Sequence, residues 1–476
     1  MLFNSFDFLC FLIVTLGLYY LPFWRFYQVH VLVAASFFFY AFECPALLGL
    51  LVACIGMNAW LSFKISKLGV QDRAGIFRFA VCGILFNVGL LATFKYGPLA
   101  VQLLPQGKSG LTVWLQHLPL PIGISFYTFE NISLIIDVFR HRRRGEMSFT
   151  PTAAPTHLLH SALFVAFFPH LVSGPILKAD TFFPQIGPPK LWRNIAWSDA
   201  FKAIVLGFFL KTVVADNLKE VTTLMNYPQF IGFSTLTLIV LLAGYSVQIF
   251  ADFAGYSLIA IGLASLFGYK LPDNFNYPYL SSSLGEFWRR WHISLSGWLR
   301  DYLYFPLGGN RRGRLRTYFN LFLVMAIGGL WHGAAWSFVI WGLYHGLGLA
   351  FERWAEERWP DLSLRLPRWA CVATVFIFVS FGWLLFRLPD FGHVIAYLRC
   401  LATNYSLGFV GQKKLLILVF VFSLPVFLLH AFKSMAAGGR IHCVASTVPA
   451  WLKYGLLVFA ILVSYGLPGA FIYFQF

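Results

Sequence analysis

The chain has 476 residues, of which 59% are hydrophobic, 19% aromatic and 12% charged. A soluble domain carries about 25% charged residues, so this composition excludes a soluble globular protein and points to a helical membrane protein with many spans. A transmembrane β-barrel would alternate polar and apolar at every second residue; runs such as Ile204–Leu210 and Leu236–Phe250 do not.

The formal net charge is +17. In a soluble protein that would suggest nucleic acid. Here Lys and Arg sit in short loops between apolar runs, which anchors those loops on the cytoplasmic side. No nucleic-acid partner is expected. A basic face would also attract an anionic, phosphate-bearing donor. The seven cysteines form no CxxC pair and lie mostly in apolar runs, so neither a disulfide frame nor a metal site is expected.

Apolar runs open the chain at Phe8–Phe23, Val29–Phe42 and Ala46–Phe63. The first twenty residues lack a basic start and a small-residue cleavage site, and read as a retained span. Lys64, Lys67, Arg73 and Arg78 form a basic loop, Phe79–Leu104 holds another span, and Gln106–Gln116 is a polar loop. Residues 118–139 are apolar but carry Pro119, Pro121 and Gly123, which break a helix, and Glu130, Asn131 and Asp137. Broken helices at membrane depth are tolerated only when buried in protein or lining a cavity, so this segment is expected to dip into a chamber. Glu130 and Asp137 are expected to make structural pairs. His141–Arg144 reads as a second cytoplasmic loop.

His157–Pro175 is a further span and Phe182–Trp197 a loop. Asp199–Val214 and Leu236–Phe267 hold spans, the second with Gln248, Asp252 and Tyr256 on one helical face. That stripe either packs structurally or lines a substrate path. After a loop at Asp273–Ser283, residues 285–301 read as one interfacial helix with Trp288, His292, Leu295 and Leu299 on its apolar face. Arg311, Arg312, Arg314 and Arg316 follow; they either hold the loop in the cytoplasm or bind phosphate.

His332 lies among Gly328, Gly329, Gly333, Ala334 and Ala335, with Trp331 and Trp336 placed to wall it. Small residues let helices approach closely. An ionisable residue in a membrane span is a functional-site hypothesis by default, and a neutral imidazole is the usual acceptor of a hydroxyl proton. His345 is thirteen residues on, roughly 20 Å along a continuous helix, and reads as structural. Glu352–Arg368 is a charged loop, and Ala370–Phe386, Leu415–Leu429 and Trp451–Leu467 are the last spans. The whole chain, 1–476, reads as one all-α domain of about ten to twelve crossings, without internal repeats.

FWRRWHISLSGWLRDYLYFPLGGNRRG at 287–313 and GGLWHGAAWSFVIWGLYHG at 328–346, with FYTFENISLIIDVFR at 126–140 and FADFAGYSLIAIGLASLFGY at 250–269, carry a family likeness. In this order they resemble the membrane-bound O-acyltransferases over nearly the whole chain, and most of all the bacterial branch that acetylates exported polysaccharides. The resemblance implies a many-helix membrane body with re-entrant or interfacial helices around a central funnel. It assigns the catalytic histidine to His332 and the second characteristic histidine to His292. It implies acetyl-CoA as donor substrate, reached from the cytoplasm; on the phosphate reading of the arginine cluster, Arg311, Arg312 and Arg314 are the candidate donor contacts. It implies no bound cofactor or metal, a periplasmic partner protein, a polysaccharide acceptor and the bacterial inner membrane. Alginate, peptidoglycan and cellulose all remain open as acceptors. The last residues, FIYFQF, fit a C-terminal motif with Phe471, Tyr473 and Phe476, in which the tyrosine is either an acyl carrier or an aromatic interfacial anchor. A transporter without chemistry is the rival, but no paired broken helices of the transporter kind are present.

Overall fold

The computed structural model describes residues 1–464 apart from 44, 103–114, 116, 147–148, 173, 360–365, 407, 409 and 438–448. Tyr473, Phe471 and Phe476 lie outside the described residues. Those that are described form helices and turns, without a strand.

The principal helices are α1 (Phe6–Tyr20), α2 (Gln28–Glu43), α3 (Pro45–Lys67), α4 (Arg73–Leu91), α5 (Ile124–Arg144), α6 (Ala154–Ala166), α7 (Ala179–Ile186), α8 (Trp197–Phe208), α9 (Asp216–Thr222) and α10 (Thr235–Leu266). They continue with α11 (Leu284–Arg290), α12 (Ile293–Leu299), α13 (Arg314–His332), α14 (Trp336–Arg358), α15 (Arg368–Arg387), α16 (Phe391–Thr403), α17 (Lys413–Ala437) and α18 (Ala450–Val463). Among the described residues, 6 helices are long and apolar enough to cross a membrane, and α1 and α18 are shorter apolar helices. The protein is an all-α, multi-pass membrane protein.

Contacts group the chain into two compact units, Met1–Phe201 with Ala260–Pro272, and Lys202–Ile259 with Asp273–Phe476. In the first, α5 begins where the prolines end. Gly123 precedes it at φ 75°, and a Cβ there would lie 2.7 Å from the Leu171 carbonyl oxygen. Glu130 is fully buried on α5. Its Oε1 lies 2.9 Å from His170 Nε2 and accepts the Leu177 N–H at 3.3 Å. A buried carboxylate needs such partners, so this one pairs structurally. His141–Arg144 is not a loop but the last turn of α5, stopped by Gly145 at φ 69°; basic side chains suit the carbonyl end of a helix. The expected span 157–175 is likewise divided. α6 ends at Ala166, and Pro169 lies in the first turn of a separate helix, Phe168–Leu171.

In the second unit, the polar stripe of α10 is engaged. Gln248 accepts a hydrogen bond from the Thr222 hydroxyl at 2.5 Å. Asp252 lies 2.7 Å from Lys211 Nζ, as does Asp216, and the ammonium stands over the Tyr256 ring. The stripe therefore ties α10 to the wide helical turn Phe209–Ala215. The charged stretch after Phe351 is not a loop at its start, because α14 runs on to Arg358. Glu352 there turns its carboxylate to the N–H groups of Leu284 and Gly285. It thereby caps α11, where the positive end of a helix favours an anion.

Candidate active site

The stretch 285–301 is two helices rather than one. α11 stops at Arg290, Trp291 is extended, and His292 takes the left-handed conformation at φ 43°, ψ 55°. A bulky residue there is strained. The conformation is held because a neighbouring extended segment takes over the hydrogen bonds: Asn276 N–H donates to the Arg290 carbonyl and Ile293 N–H to the Asn274 carbonyl, each at 2.9 Å. The sequence has no period that reveals this break, since its apolar spacing fits a continuous helix.

α13 and α14 form a hairpin closed at backbone distance. A Cβ on Gly329 would lie 2.2 Å from the Phe338 carbonyl oxygen, and one on Gly342 would lie 2.2 Å from that of Met325. The small residues around position 332 serve this approach. His332 is the last residue of α13, so the carbonyl end of the helix faces any positive charge that develops on its ring.

The break and the hairpin bring the two motif histidines together. Both are buried, with ring centroids 6.4 Å apart. Aromatic rings surround them: Phe253 and Trp331 lie 4.6 and 6.0 Å from His292, and Trp331, Trp341 and Phe386 lie 5.0, 5.1 and 5.3 Å from His332. Trp336, expected as a wall, is 63% exposed; Trp341 and Phe386 stand there instead. Sequence spacing does not reveal them, because they reach His332 from the facing helix α14 and from α15, distant in the chain.

His345 is closer to the site than a continuous helix would allow, because the chain reverses between α13 and α14. Its ring lies 4.9 Å from Trp341 and 5.1 Å from Trp288, so one indole separates the two imidazoles. Neither nitrogen of His345 has a hydrogen-bond partner among the described residues. A Cβ on Gly382 would lie 2.7 Å from its Nε2. It is packed as a ring in an aromatic box.

The arginine cluster divides. Arg314 lies 3.3 Å from Glu357, whereas Arg311 and Arg312 are exposed in the turn before α13. No group of three His, Cys, Asp or Glu suited to a metal occurs among the described residues.

A helical membrane body with two buried histidines enclosed by aromatic rings defines the class as an integral membrane protein with a candidate active site. The chain belongs to the membrane-bound O-acyltransferase family, whose model matches residues 153–388, and it is an O-acyltransferase. It is 39% identical to a probable alginate O-acetylase of Pseudomonas syringae, over 86% of this chain and 76% of that protein. It is 34% identical to a peptidoglycan O-acetyltransferase of Helicobacter pylori, over 77% and 72% of the two chains. It is 31% identical to a teichoic acid D-alanyltransferase of Bacillus subtilis, over 62% and 78%.

Proposed function

We propose that the protein is an inner-membrane O-acetyltransferase that takes an acetyl group from cytoplasmic acetyl-CoA and delivers it for O-acetylation of an exported polysaccharide, with alginate as the first acceptor class. The observation that carries this reading is the pair of buried imidazoles, His332 and His292, 6.4 Å apart in an aromatic enclosure. The similarity to an alginate O-acetylase supports the choice of acetyl group and acceptor. Peptidoglycan is the next acceptor class, on the similarity to a peptidoglycan O-acetyltransferase.

His332 takes the proton of the receiving hydroxyl. The oxygen attacks the thioester carbonyl carbon, a C–O bond forms, the C–S bond breaks, and the imidazolium returns the proton to the thiolate, giving free coenzyme A. Excluding water keeps the thioester from hydrolysis. Arg311 and Arg312 meet the phosphates of the donor, as guanidinium suits them. Tyr473 is the proposed acyl carrier, handing the group to a periplasmic partner. A phenol of pKa about 10 needs a base to act so.

The test is acetyl content of exported polymer, by mass analysis, from cells carrying wild type or His332→Ala at equal membrane abundance. Loss of acetyl groups is expected. Undiminished acetylation rejects the assignment, and acetyl loss from peptidoglycan alone moves the acceptor.

A further inference from the structure

We propose that Asn274 is a positioning residue that fixes which nitrogen of His292 carries the proton, so that His292 works in the chamber as a hydrogen-bond acceptor and not as a donor. The inference rests on the acyl-transfer reading above only for its consequence, since the tautomer follows from hydrogen-bond geometry alone.

Asn274 is 1% exposed. Its Oδ1 lies 3.0 Å from His292 Nδ1, 2.9 Å from the Ser294 hydroxyl and 3.3 Å from the Ser294 backbone nitrogen. Its Nδ2 lies 3.1 Å from Ser257 Oγ. The ends of an amide are told apart only by their partners, and here one partner decides. A backbone N–H can only donate, so the atom facing Ser294 N must be oxygen. Reversing the amide would set its NH₂ hydrogens against that N–H. The buried Ser257 hydroxyl then holds the nitrogen end.

An amide oxygen only accepts. The His292 nitrogen that faces it must therefore carry a hydrogen, which fixes Nδ1–H. A neutral imidazole has one N–H, and burial disfavours a second proton. Nε2 thus keeps its lone pair. Such control of a histidine tautomer by a neighbouring acceptor recurs in catalytic sites.

Asn274 holds the same histidine twice. Its backbone carbonyl accepts from Ile293 N–H and keeps His292 in its left-handed conformation, while its side chain sets the proton. The consequence for the reaction is a division of roles. His292 cannot polarise the thioester carbonyl through Nε2, because it has no hydrogen there to give. Through Nε2 it can only accept an O–H or N–H, so it gives no hydrogen bond to the oxyanion of the proposed acyl transfer.

The experiment is solid-state NMR of ¹⁵N-histidine-labelled protein in lipid bilayers, with His292→Gln used to identify the signals of residue 292. Protonated Nδ1 and unprotonated Nε2 are expected in the wild type. Asn274→Leu should give a mixed population and lower kcat by roughly 10²- to 10⁴-fold, as loss of tautomer control does elsewhere, with KM for acetyl-CoA little changed. Should Asn274→Leu fail to fold, Asn274→Asp carries the test: its carboxylate accepts at the same place, so it should keep the wild-type tautomer and shift the acid limb of the pH–rate profile upward, because a carboxylate favours the imidazolium. A wild-type Nε2–H signal overturns the proposal, as does an unchanged tautomer in Asn274→Leu. Absence of acetyl transfer in the wild type would reject the functional reading while leaving the tautomer assignment intact.

Discussion

The ring of His332 meets the indole of Trp341 nearly at right angles, with planes at 89° and centroids 5.1 Å apart. His332 is thus steadied by a side chain from the second arm of the hairpin. Trp341 is 2% exposed, so Trp341→Ala leaves a large void and should destabilise the protein by about 3–5 kcal/mol. It should also lower kcat roughly a hundredfold through a misplaced base. Trp341→Phe keeps a ring and should lose less of both. Thermal midpoints in detergent and acetyl transfer in membrane vesicles read the two effects separately.

Closure of the hairpin should fail when either crossing glycine is enlarged. Gly342→Leu would press a side chain onto the Met325 carbonyl, where a Cβ alone comes to 2.2 Å. Overpacking of this kind costs about 1–3 kcal/mol or more, and loss of folded protein on size-exclusion chromatography is expected. Gly297→Ala on α12 is the control. Nothing lies within 4 Å of its Cβ, and alanine should gain up to about 1 kcal/mol in a helix.

Lys211 holds two buried carboxylates at 2.7 Å each. Removing the cation leaves them facing one another, so Lys211→Met should cost about 3–5 kcal/mol. Adding Asp252→Asn to that variant should restore part of the loss. A double variant no more stable than Lys211→Met would show that repulsion is not the cause. Urea or thermal unfolding of the purified protein decides it.

Arg311 and Arg312 are exposed, whereas Arg314 has Glu357 as a partner. If the first two meet the donor phosphates, KM for acetyl-CoA should rise with ionic strength, because exposed charges are screened beyond about 10 Å at 0.1 M salt. Arg311→Gln with Arg312→Gln should raise KM at low salt and flatten that dependence, with kcat unchanged. Arg314→Gln should change stability by under about 1 kcal/mol, since exposed ion pairs contribute little.

Much of this molecule was legible from local composition. The apolar runs give most of the long helices, and the small residues around 332, Gly329 among them, signalled close packing, whereas Gly342 on the facing helix was not marked. The candidate at 332 was marked by one ionisable residue in an apolar run, and the structure buries it beside His292. What stayed hidden depended on partners distant in sequence. The break at His292 is made by hydrogen bonds to the Asn274 carbonyl and from the Asn276 N–H, so the local period read through it. The reversal after His332 turned a supposed 13-residue helical separation from His345 into a shared contact with Trp341. Asn274 sat in a loop with no pattern to mark it, although it lies eighteen residues before the ring it serves.

A base seated at the end of a helix whose neighbour touches it backbone to backbone has no room to swing. On the proposed assignment of His332 as the base, the reaction takes place at a stationary nitrogen. Any reach needed to unite the two substrates of the proposed transfer then has to come from the substrates themselves, and loosening the hairpin should slow the enzyme instead of broadening what it accepts.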